Sequence, residues 1–550
     1  MNQAVSASTD PDETNDTVPP LRSYWKSWLA TGIFAGMAIA AQYRDMLNDR
    51  SVSNLTTSIC AAFAVLILLS IILRLIAQKT STLVATTIAI ILIAAPATLI
   101  RVRGFNGEMV PALEFRFRPQ AKLQESIADS ALAPQSAVMA TTAFPQFLGP
   151  NRNAVIPNRE FATPTTATAT AEELWRIGIG DGWAGFAIQD QYCVTLEQRG
   201  DEECVTTYQL SDGKLLWSHK ETARHQNPLG GIGPRSTPTI RGDVVFTQGA
   251  TGIVLCLNLT NGEVVWRQEL LKLAGWEQAA SETAISWGRA ASPLLIDDLC
   301  IVPFGRPPNS EPPAENLSGR SLMAFGAATG DVRWTNGEDQ ISYASPVLMT
   351  FADLQQIVSV NESTVTSHNV ADGDVLWSLD WAGQSNGSAN CSSALPVGDD
   401  NFLVAKGYGV GSGVFTVSKS ADDSWSVEEK WASHRVLKTK FTHAAVEGDV
   451  AYGLSDGTLE CVDLTDGQRL WAQSRSSRYG HGHVILVGDC LVVQAEAGPV
   501  AFVAASVDEF KWLGTIDALS SKTWNVPSIA GRYLAVRNDL EAVLYRLPAN

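Results

Sequence analysis

Residues 463–471 read DLTDGQRLW, and the same phrase returns along the chain as SDGKLLW (211–217), TNGEVVW (260–266), ATGDVRW (328–334) and ADGDVLW (371–377). Each time a glycine precedes the tryptophan by four residues: Gly213 and Trp217, Gly262 and Trp266, Gly330 and Trp334, Gly373 and Trp377, Gly467 and Trp471. Asp-Gly and Asn-Gly pairs predict two-residue hairpins, because matching the twist of the flanking strands requires positive φ, which Gly and Asn tolerate best. A fixed offset from the turn then sets every tryptophan at one height on one face of its strand. A turn-anchored tryptophan that recurs in this way is a packing element between neighbouring sheets, since one indole buries about 150–250 Å².

Working outward, WSVEEKW supplies Trp431 and VDEFKW supplies Trp512, both with acidic residues where the glycine would stand, and EELW supplies Trp175. Successive tryptophans are 42, 49, 68, 43, 54, 40 and 41 residues apart. Short Val, Ile, Leu and Thr runs separated by turn residues, as in GDVVFTQGATGIVLCLNLTNGEVVW (242–266), predict about four strands per unit. A repeat of roughly 40–50 residues with four strands is the pattern of a β-propeller. The spacing of 68 has a local cause, the Pro-rich insertion FGRPPNSEPPAENLSGR (304–320) between two strands of the third unit. After Trp512 come WNVPSIAG, RYLAVRN and EAVLYRL, three strands that lack a terminal tryptophan strand. EELWRI from the front of the repeat region supplies it. The expected fold is therefore all-β, an eight-bladed propeller over 171–550 closed by a blade shared between its two ends, which removes open sheet edges.

The first hundred residues differ in kind. A polar, disordered start is expected over 1–23, then three apolar stretches at 24–43, 59–76 and 83–100 that approach the roughly 17–25 residues a membrane helix needs. Basic residues do not orient them: Arg22, Lys26, Arg74 and Lys79 favour an inside N-terminus, while Arg44, Arg50, Arg101, Arg103, Arg116 and Arg118 lean the other way. Residues 101–170 read as a linker rich in Ala, Ser, Thr and Gln, holding an aromatic, turn-rich segment, FPQFLGPNRNAVIPN (144–158), that should pack on the propeller.

A net charge of −17 with no basic run argues against nucleic acid as a partner. The eight cysteines include no CxxC, CxxCH or adjacent pair, which excludes a zinc ribbon, a thioredoxin-type site and covalent haem. Cys256, Cys300, Cys461 and Cys490 recur at matched places in strand-like runs and read as small buried hydrophobes. Cys193 and Cys204 flank a hairpin, where a disulfide stays open.

Chemistry-bearing side chains concentrate where innermost strands begin: Trp183 in GWAGF, Arg235 in PRSTP, Trp287 in WGRAASP, Tyr343 in SYASP, Lys440 and His443 in KFTHA, Tyr479, His481 and His483 in YGHGH, and Trp524 and Asn525 in TWNVP. Such starts line the mouth of a propeller channel, where an Arg, Lys, His and aromatic mixture suits an anionic or planar ligand. The same Ser-Pro and Thr-Pro punctuation also marks ordinary strand edges. The polar run EQRGDEE (197–203) reads as a solvated turn, or as a place where Arg199 pins neighbouring loops through charge-assisted bonds. His481 and His483 share a strand face with no third ligand in view, so no metal is assigned.

With its turn-to-tryptophan phrase the chain resembles the pyrroloquinoline quinone (PQQ)-like propeller superfamily, whose members include quinoprotein alcohol dehydrogenases and BamB, over about 145–550. FPQFLGPNRN, GWAGFAI, EQRGDEE, GPRSTPT, YGHGH and TWNVPS further resemble a group of membrane-anchored bacterial repeat proteins. The resemblance implies Trp175, Trp217, Trp266, Trp334, Trp377, Trp431, Trp471 and Trp512 as docking residues. It also implies a membrane-anchored scaffold at the bacterial inner membrane, its propeller facing the periplasm and binding envelope proteins or a small ligand. The alternative is a redox enzyme with PQQ at the channel mouth. Quinoprotein dehydrogenases hold PQQ between a tryptophan and a disulfide of adjacent cysteines, a pair this sequence lacks, so the enzyme reading ranks second.

Overall fold

The computed structural model describes residues 25–45, 50–77, 84, 87, 91, 98–117, 123–124, 142–164 and 171–550. The chain divides into two compact units, Met1–Arg118 and Pro119–Asn550.

In the first unit two helices form, α1 (Trp25–Asp45) and α2 (Arg50–Ala77), with Phe34 and Phe63 stacked at 5.3 Å. Among the described residues no helix is long and apolar enough to cross a membrane, so the expected spans at 24–43 and 59–76 are corrected to helices only. Their sequences say why. Lys26, Thr31 and the Gln42–Asp45 end interrupt α1, while α2 opens on Arg50–Ser58 and has only the fifteen residues 59–73 before Arg74, short of the roughly 17–25 a membrane helix needs. Most of the third stretch, 83–100, and the polar start at 1–23 lie outside the described residues. The third stretch ends where a two-stranded ribbon begins, Ile100–Phe105 paired with Pro111–Phe115.

The second unit is an eight-bladed propeller, each blade an antiparallel four-stranded run. Blades 1 to 7 open with the strands Ala187–Gln189, Thr239–Arg241, Leu294–Ile296, Val347–Phe351, Leu395–Val397, Ala445–Glu447 and His483–Val487. These first strands touch their counterparts in neighbouring blades, which places them around the axis. Blade 8 joins Ser528–Ala530, Tyr533–Arg537 and Glu541–Arg546 to Glu172–Gly178, with Leu544 opposite Trp175. The ring closes as the repeat arithmetic requires. The insertion at 304–320 lies between Leu299–Pro303 and Leu322–Gly326 of blade 3, and two short helices not expected from the sequence, Leu270–Leu273 and Gln278–Ala284, bridge blades 2 and 3.

The tryptophan phrase acts across blades. Gly213 ends a four-residue loop in which its N–H donates to Gln209 O (2.9 Å) and Gln209 N–H donates to Lys214 O (2.8 Å). The expected two-residue hairpin is thus a four-residue loop with a single left-handed residue, Gly213 at φ 69°. The longer loop turns out the carbonyl of its first residue, and the tryptophan of the preceding blade donates to it. Trp175 Nε1 reaches Leu210 O (2.9 Å), Trp217 reaches Leu259 O (2.8 Å), Trp266 reaches Ala327 O (2.8 Å), and Trp431 reaches Leu464 O (2.7 Å). Trp334 and Trp471 follow the pattern through Val370 O (3.2 Å) and Ser506 O (2.7 Å). The indole lies on the glycine itself: a Cβ on Gly213 would come within 2.8 Å of Trp175, and one on Gly262 within 2.5 Å of Trp217. One phrase therefore serves two seams, its glycine receiving the previous blade and its tryptophan docking on the next.

Two tryptophans depart from this. Trp377 faces blade 5, whose turn has no glycine; it bonds Gln356 Oε1 of its own blade (2.9 Å) and stacks on Phe402 (5.2 Å). Trp512, expected to dock, is 45% exposed. In every blade a bulge immediately precedes the docking position on the fourth strand, and in blade 7 the register puts Gly514 opposite Phe502 and Trp512 opposite Val503. Gly514 occupies the docking position, and Trp512 stands where blade 2 has the exposed Val264. All eight cysteines are free; Cys193 and Cys204 pair across strands with Tyr208 and Glu197, so no disulfide joins them.

Candidate functional site

First strands begin on the propeller face where the fourth strand of one blade passes to the next. There a belt of side chains ties each blade to its neighbour. Gly185 N–H donates to Thr237 Oγ1 (3.1 Å), Thr237 N–H to Ser292 Oγ (2.9 Å), Ser292 N–H to Ser345 Oγ (2.9 Å), and Ser393 Oγ to Ser345 O (2.8 Å). Ser393 N–H donates to His443 Nε2 (2.9 Å), His483 Nε2 donates to Trp524 O (2.9 Å), and Asn525 Nδ2 donates to Ala184 O (2.8 Å). First strands are only three to five residues long, and these bonds satisfy backbone groups that such strands leave unmade. His443, His483 and Asn525 thus serve in blade-to-blade bonding.

The lead-in segment fills the axis. Phe144 exchanges backbone bonds with Ile188 of blade 1 (2.9 and 2.8 Å), and Pro145 O accepts from Ile240 of blade 2 (2.8 Å). Val155–Ile156 runs parallel to the first strand of blade 7, as a fifth strand on that sheet. Between them Arg152, 3% exposed, donates to Pro293 O (2.9 Å) and Ser292 O (3.0 Å) of blade 3, and Phe147 meets the His443 ring of blade 6 edge-on at 5.2 Å. So short a segment touches blades 1, 2, 3, 6 and 7 only by crossing the channel. Burial lowers the Arg152 pKa to about 9. Burial, then the neighbouring His483 and Arg152, lowers that of His443 to about 3. Burial also lowers that of His483 to about 4. Burial favours the neutral form of both imidazoles, and the acceptor role of His443 Nε2 requires it there.

Above this axle the remaining mouth residues fall into two groups. On blades 1, 6, 7 and 8, Trp183 and Trp524 have ring centroids 5.0 Å apart, and Lys522 Nζ stands 4.7 Å from the first and 3.9 Å from the second. Phe441 packs on Trp524 (4.9 Å) and His481 (5.6 Å), and Glu496 accepts from Trp524 Nε1 (2.7 Å) and His481 N–H (3.1 Å). Tyr479 is half-buried beside them, its N–H bonded to Gly457 O (3.0 Å). On blades 2 to 4, Arg235 Nε donates to Trp287 O (2.5 Å) and its Nη1 to Gly230 O (2.9 Å), the same carbonyl that takes Trp183 Nε1 (2.6 Å). Trp287 N–H donates to Tyr343 Oη (3.3 Å), and the Tyr343 hydroxyl donates to Ser385 O. Outside both groups, Lys440 Nζ at the start of blade 6 lies 5.7 Å from the Tyr408 ring of blade 5.

These contacts test the quinone expectation. Trp183 and Trp524 pack on each other and on Lys522, and Gly230 O fills the fork between Trp183 and Arg235. Among the described residues no facing pair of planar walls stands ready for a flat ring, and no cysteine pair lies against either tryptophan. The residues present do not fit PQQ.

Arg199 lies away from the mouth. Its Nη2 donates to Glu197 Oε1 (2.9 Å), which also accepts from Tyr208 Oη (2.8 Å), and its Nη1 donates to Gln124 O (2.7 Å) of the linker. Burial would raise the Glu197 pKa, but the charges of Arg199 and Arg537 outweigh it and hold the carboxyl below its ordinary value. EQRGDEE is therefore the buried end of one hairpin, with Glu197 and Glu203 inside and Gly200–Asp201 at the tip, rather than a solvated turn.

Sequence reading missed Arg152, Phe441, Glu496 and Lys522, and it passed over Arg306 and Arg320 in the insertion. Lys522 had a signal, lying two residues before Trp524 in SKTWN.

The profile of the family described as outer membrane protein assembly factor BamB matches residues 165–302 and 315–512. The break between the two matches falls inside the Pro-rich insertion. Comparison with curated proteins finds no match. Among solved structures, a quinohemoprotein alcohol dehydrogenase from Comamonas testosteroni is similar at 10% identity, covering 75% of this chain and 82% of that one, with a TM-score of 0.52. A quinohemoprotein alcohol dehydrogenase from Pseudomonas putida HK5 matches at 10% identity over 74% and 81%, TM-score 0.50. BamB from Moraxella catarrhalis matches at 14% identity over 69% and 98%, TM-score 0.45. At these identities the likeness shows the fold alone.

Proposed function

The chain belongs to the family of the outer membrane protein assembly factor BamB, and on that premise we propose that it is a binding or assembly scaffold of the bacterial cell envelope. It is held at the inner membrane with its propeller facing the periplasm, and it binds envelope proteins. The observation that carries this reading is the filled axis. Arg152 and Phe147 occupy the channel, and the belt holds His443, His483 and Asn525 in blade-to-blade bonds, so the side chains best suited to chemistry are engaged in structure. A rigid ring with a closed axle presents loops rather than a reaction chamber. Exposed apolar side chains on α1 and α2, among them Trp28, Leu29, Ile33, Val65 and Leu66, support attachment to a membrane.

Crosslinking in native membranes followed by purification of the full chain and mass spectrometry tests the proposal. Envelope proteins enriched over an unrelated membrane control are the expected result. Recovery of none, together with quinone absorbance and dye reduction after addition of PQQ and Ca²⁺, would overturn it in favour of the redox enzyme.

A further inference from the structure

The insertion at 304–320 is unused by the ring, yet its neck is ordered. Phe304 N–H donates to Ser321 O (3.0 Å) and Gly305 N–H to Arg320 O (2.9 Å), which sets Arg306 and Arg320 side by side where the insertion leaves and rejoins blade 3. Gln340 holds the neck from blade 4, its Nε2 donating to Arg306 O (2.9 Å) while its Oε1 accepts from Ile341 N–H (3.1 Å).

Arg306 is 9% exposed, and its Nε and Nη1 are enclosed without a hydrogen-bond partner. Arg320 Nε is likewise enclosed and unbonded. Among the described residues neither guanidinium forms an ion pair. The nearby acids Glu362 and Asp339 attract Arg320 at a distance but form no ion pair with it, Glu362 Oε1 accepting from Ser385 N–H (2.9 Å) and the Asp339 carboxyl interacting with the Thr364 hydroxyl. Burial, and then the charge of Arg306, lowers the pKa of Arg320. A buried guanidinium beside a half-buried one of like charge, both with unmade bonds, is an unfavourable arrangement, because a buried charge is costly unless paired and hydrogen-bonded. An anion with several oxygens removes both penalties at once, and the planar fork of arginine matches carboxylate and phosphate oxygens.

We propose that the neck of this insertion is an oxyanion site in which Arg306 and Arg320 together grip a carboxylate or phosphate group. The site stands at the neck of the insertion, on blades 3 and 4, and does not depend on whether the protein is a scaffold.

The test uses the purified full chain, with thermal unfolding and calorimetric titration against inorganic phosphate and, separately, citrate. Chloride at matched ionic strength is the control. Phosphate or citrate should raise Tm by several degrees and chloride should not, since a ligand bound only by the folded state stabilises it. Which anion binds more tightly separates phosphate from carboxylate recognition. R306Q should lose at least tenfold in anion affinity, yet melt at or above the native chain when no anion is present, because an uncompensated buried charge has gone. R320Q, less enclosed, serves the same test should R306Q fold poorly. An equal loss of Tm with and without anion in these variants, or no shift by either anion in the native chain, would overturn the proposal.

Discussion

The seams on either side of blade 8 are built differently. Between blades 8 and 1, Trp175 is buried, donates to Leu210 O (2.9 Å) and rests on Gly213. Between blades 7 and 8 the docking position holds Gly514, and Trp512 is turned to solvent. The cause lies in connectivity. A docked indole needs the loop between the third and fourth strands of the next blade. In blade 8 those strands, Glu541–Arg546 and Glu172–Gly178, come from opposite ends of the propeller sequence, so no such loop exists. Without a dock, the seam carries no docking tryptophan. Closure by a split blade therefore costs one seam its tryptophan anchor, and other contacts have to hold it.

The sharpest way to break this comparison is substitution of the two tryptophans. Trp175→Ala should lower stability by about 3–5 kcal/mol, whereas Trp512→Ala should change it by no more than about 0.5 kcal/mol, both read by urea denaturation. Equal losses would show that Trp512 docks after all.

Acid acts instead on the belt histidines, of which His483 bonds Trp524 O across the seam between blades 7 and 8 and His443 joins blades 5 and 6. His443 and His483, held neutral with pKa values of about 3 and 4, must gain a proton in the unfolded chain below its ordinary value near 6.5. A depressed histidine pKa means that the unfolded state binds more protons as pH falls. Stability should thus decline from about pH 6.5 downward by roughly 1.4 kcal/mol per pH unit for each histidine. The same slope is expected in both tryptophan variants, and His443→Gln should flatten it. A slope that differs between the two backgrounds would couple the belt histidines to the tryptophan positions.

Gly213 tests the receiving side. Gly213→Ala places a Cβ 2.8 Å from Trp175 in a left-handed position and should cost about 2–3 kcal/mol, while Gly242→Ala, also left-handed but facing open space, should cost only about 1 kcal/mol. In the Trp175→Ala background the difference between them should vanish, as a double-mutant cycle would report. The smallest effect belongs to the ion pairs that join the split strands, Arg176–Glu541 (2.8 Å) and Arg546–Glu172. Glu541→Gln should cost about 0.2–1 kcal/mol at low salt and less at high salt, because the pair is partly exposed.

The propeller was legible because its repeat is written in backbone terms. A left-handed glycine and a bulky ring at a fixed offset leave a trace that side-chain variation does not erase, and the unpaired EELWRI named its own partner strands. Registration was less legible: in VDEFKWLGT the eye finds Trp512, but the bulge makes Gly514 the equivalent residue, and bulge position is decided by pairing with Phe502 and Val503. At the mouth, sequence does not tell a ligand-binding side chain from one engaged between blades. His443 and Asn525 sit where strand starts converge, yet a histidine that accepts a backbone N–H looks the same in sequence as one that binds a ligand. Arg306 and Arg320 left no signal, since two arginines fourteen residues apart in a Pro-rich loop meet only through the hydrogen bonds of its neck.

The lead-in segment has a further consequence for how the molecule is made. During synthesis residues 144–156 emerge first and find partners in blades 1 to 3, but Phe147 and Val155 wait for blades 6 and 7, and Glu172–Gly178 waits for the final strands. Arg176 and Glu541, which meet in the finished blade, are 365 residues apart in the chain. At about 5–20 residues per second, the segment that will become the axle spends tens of seconds half-seated, with an unpaired edge beside it. Blades 6 to 8 thus complete the ring around a segment whose first partners, in blades 1 to 3, were made long before.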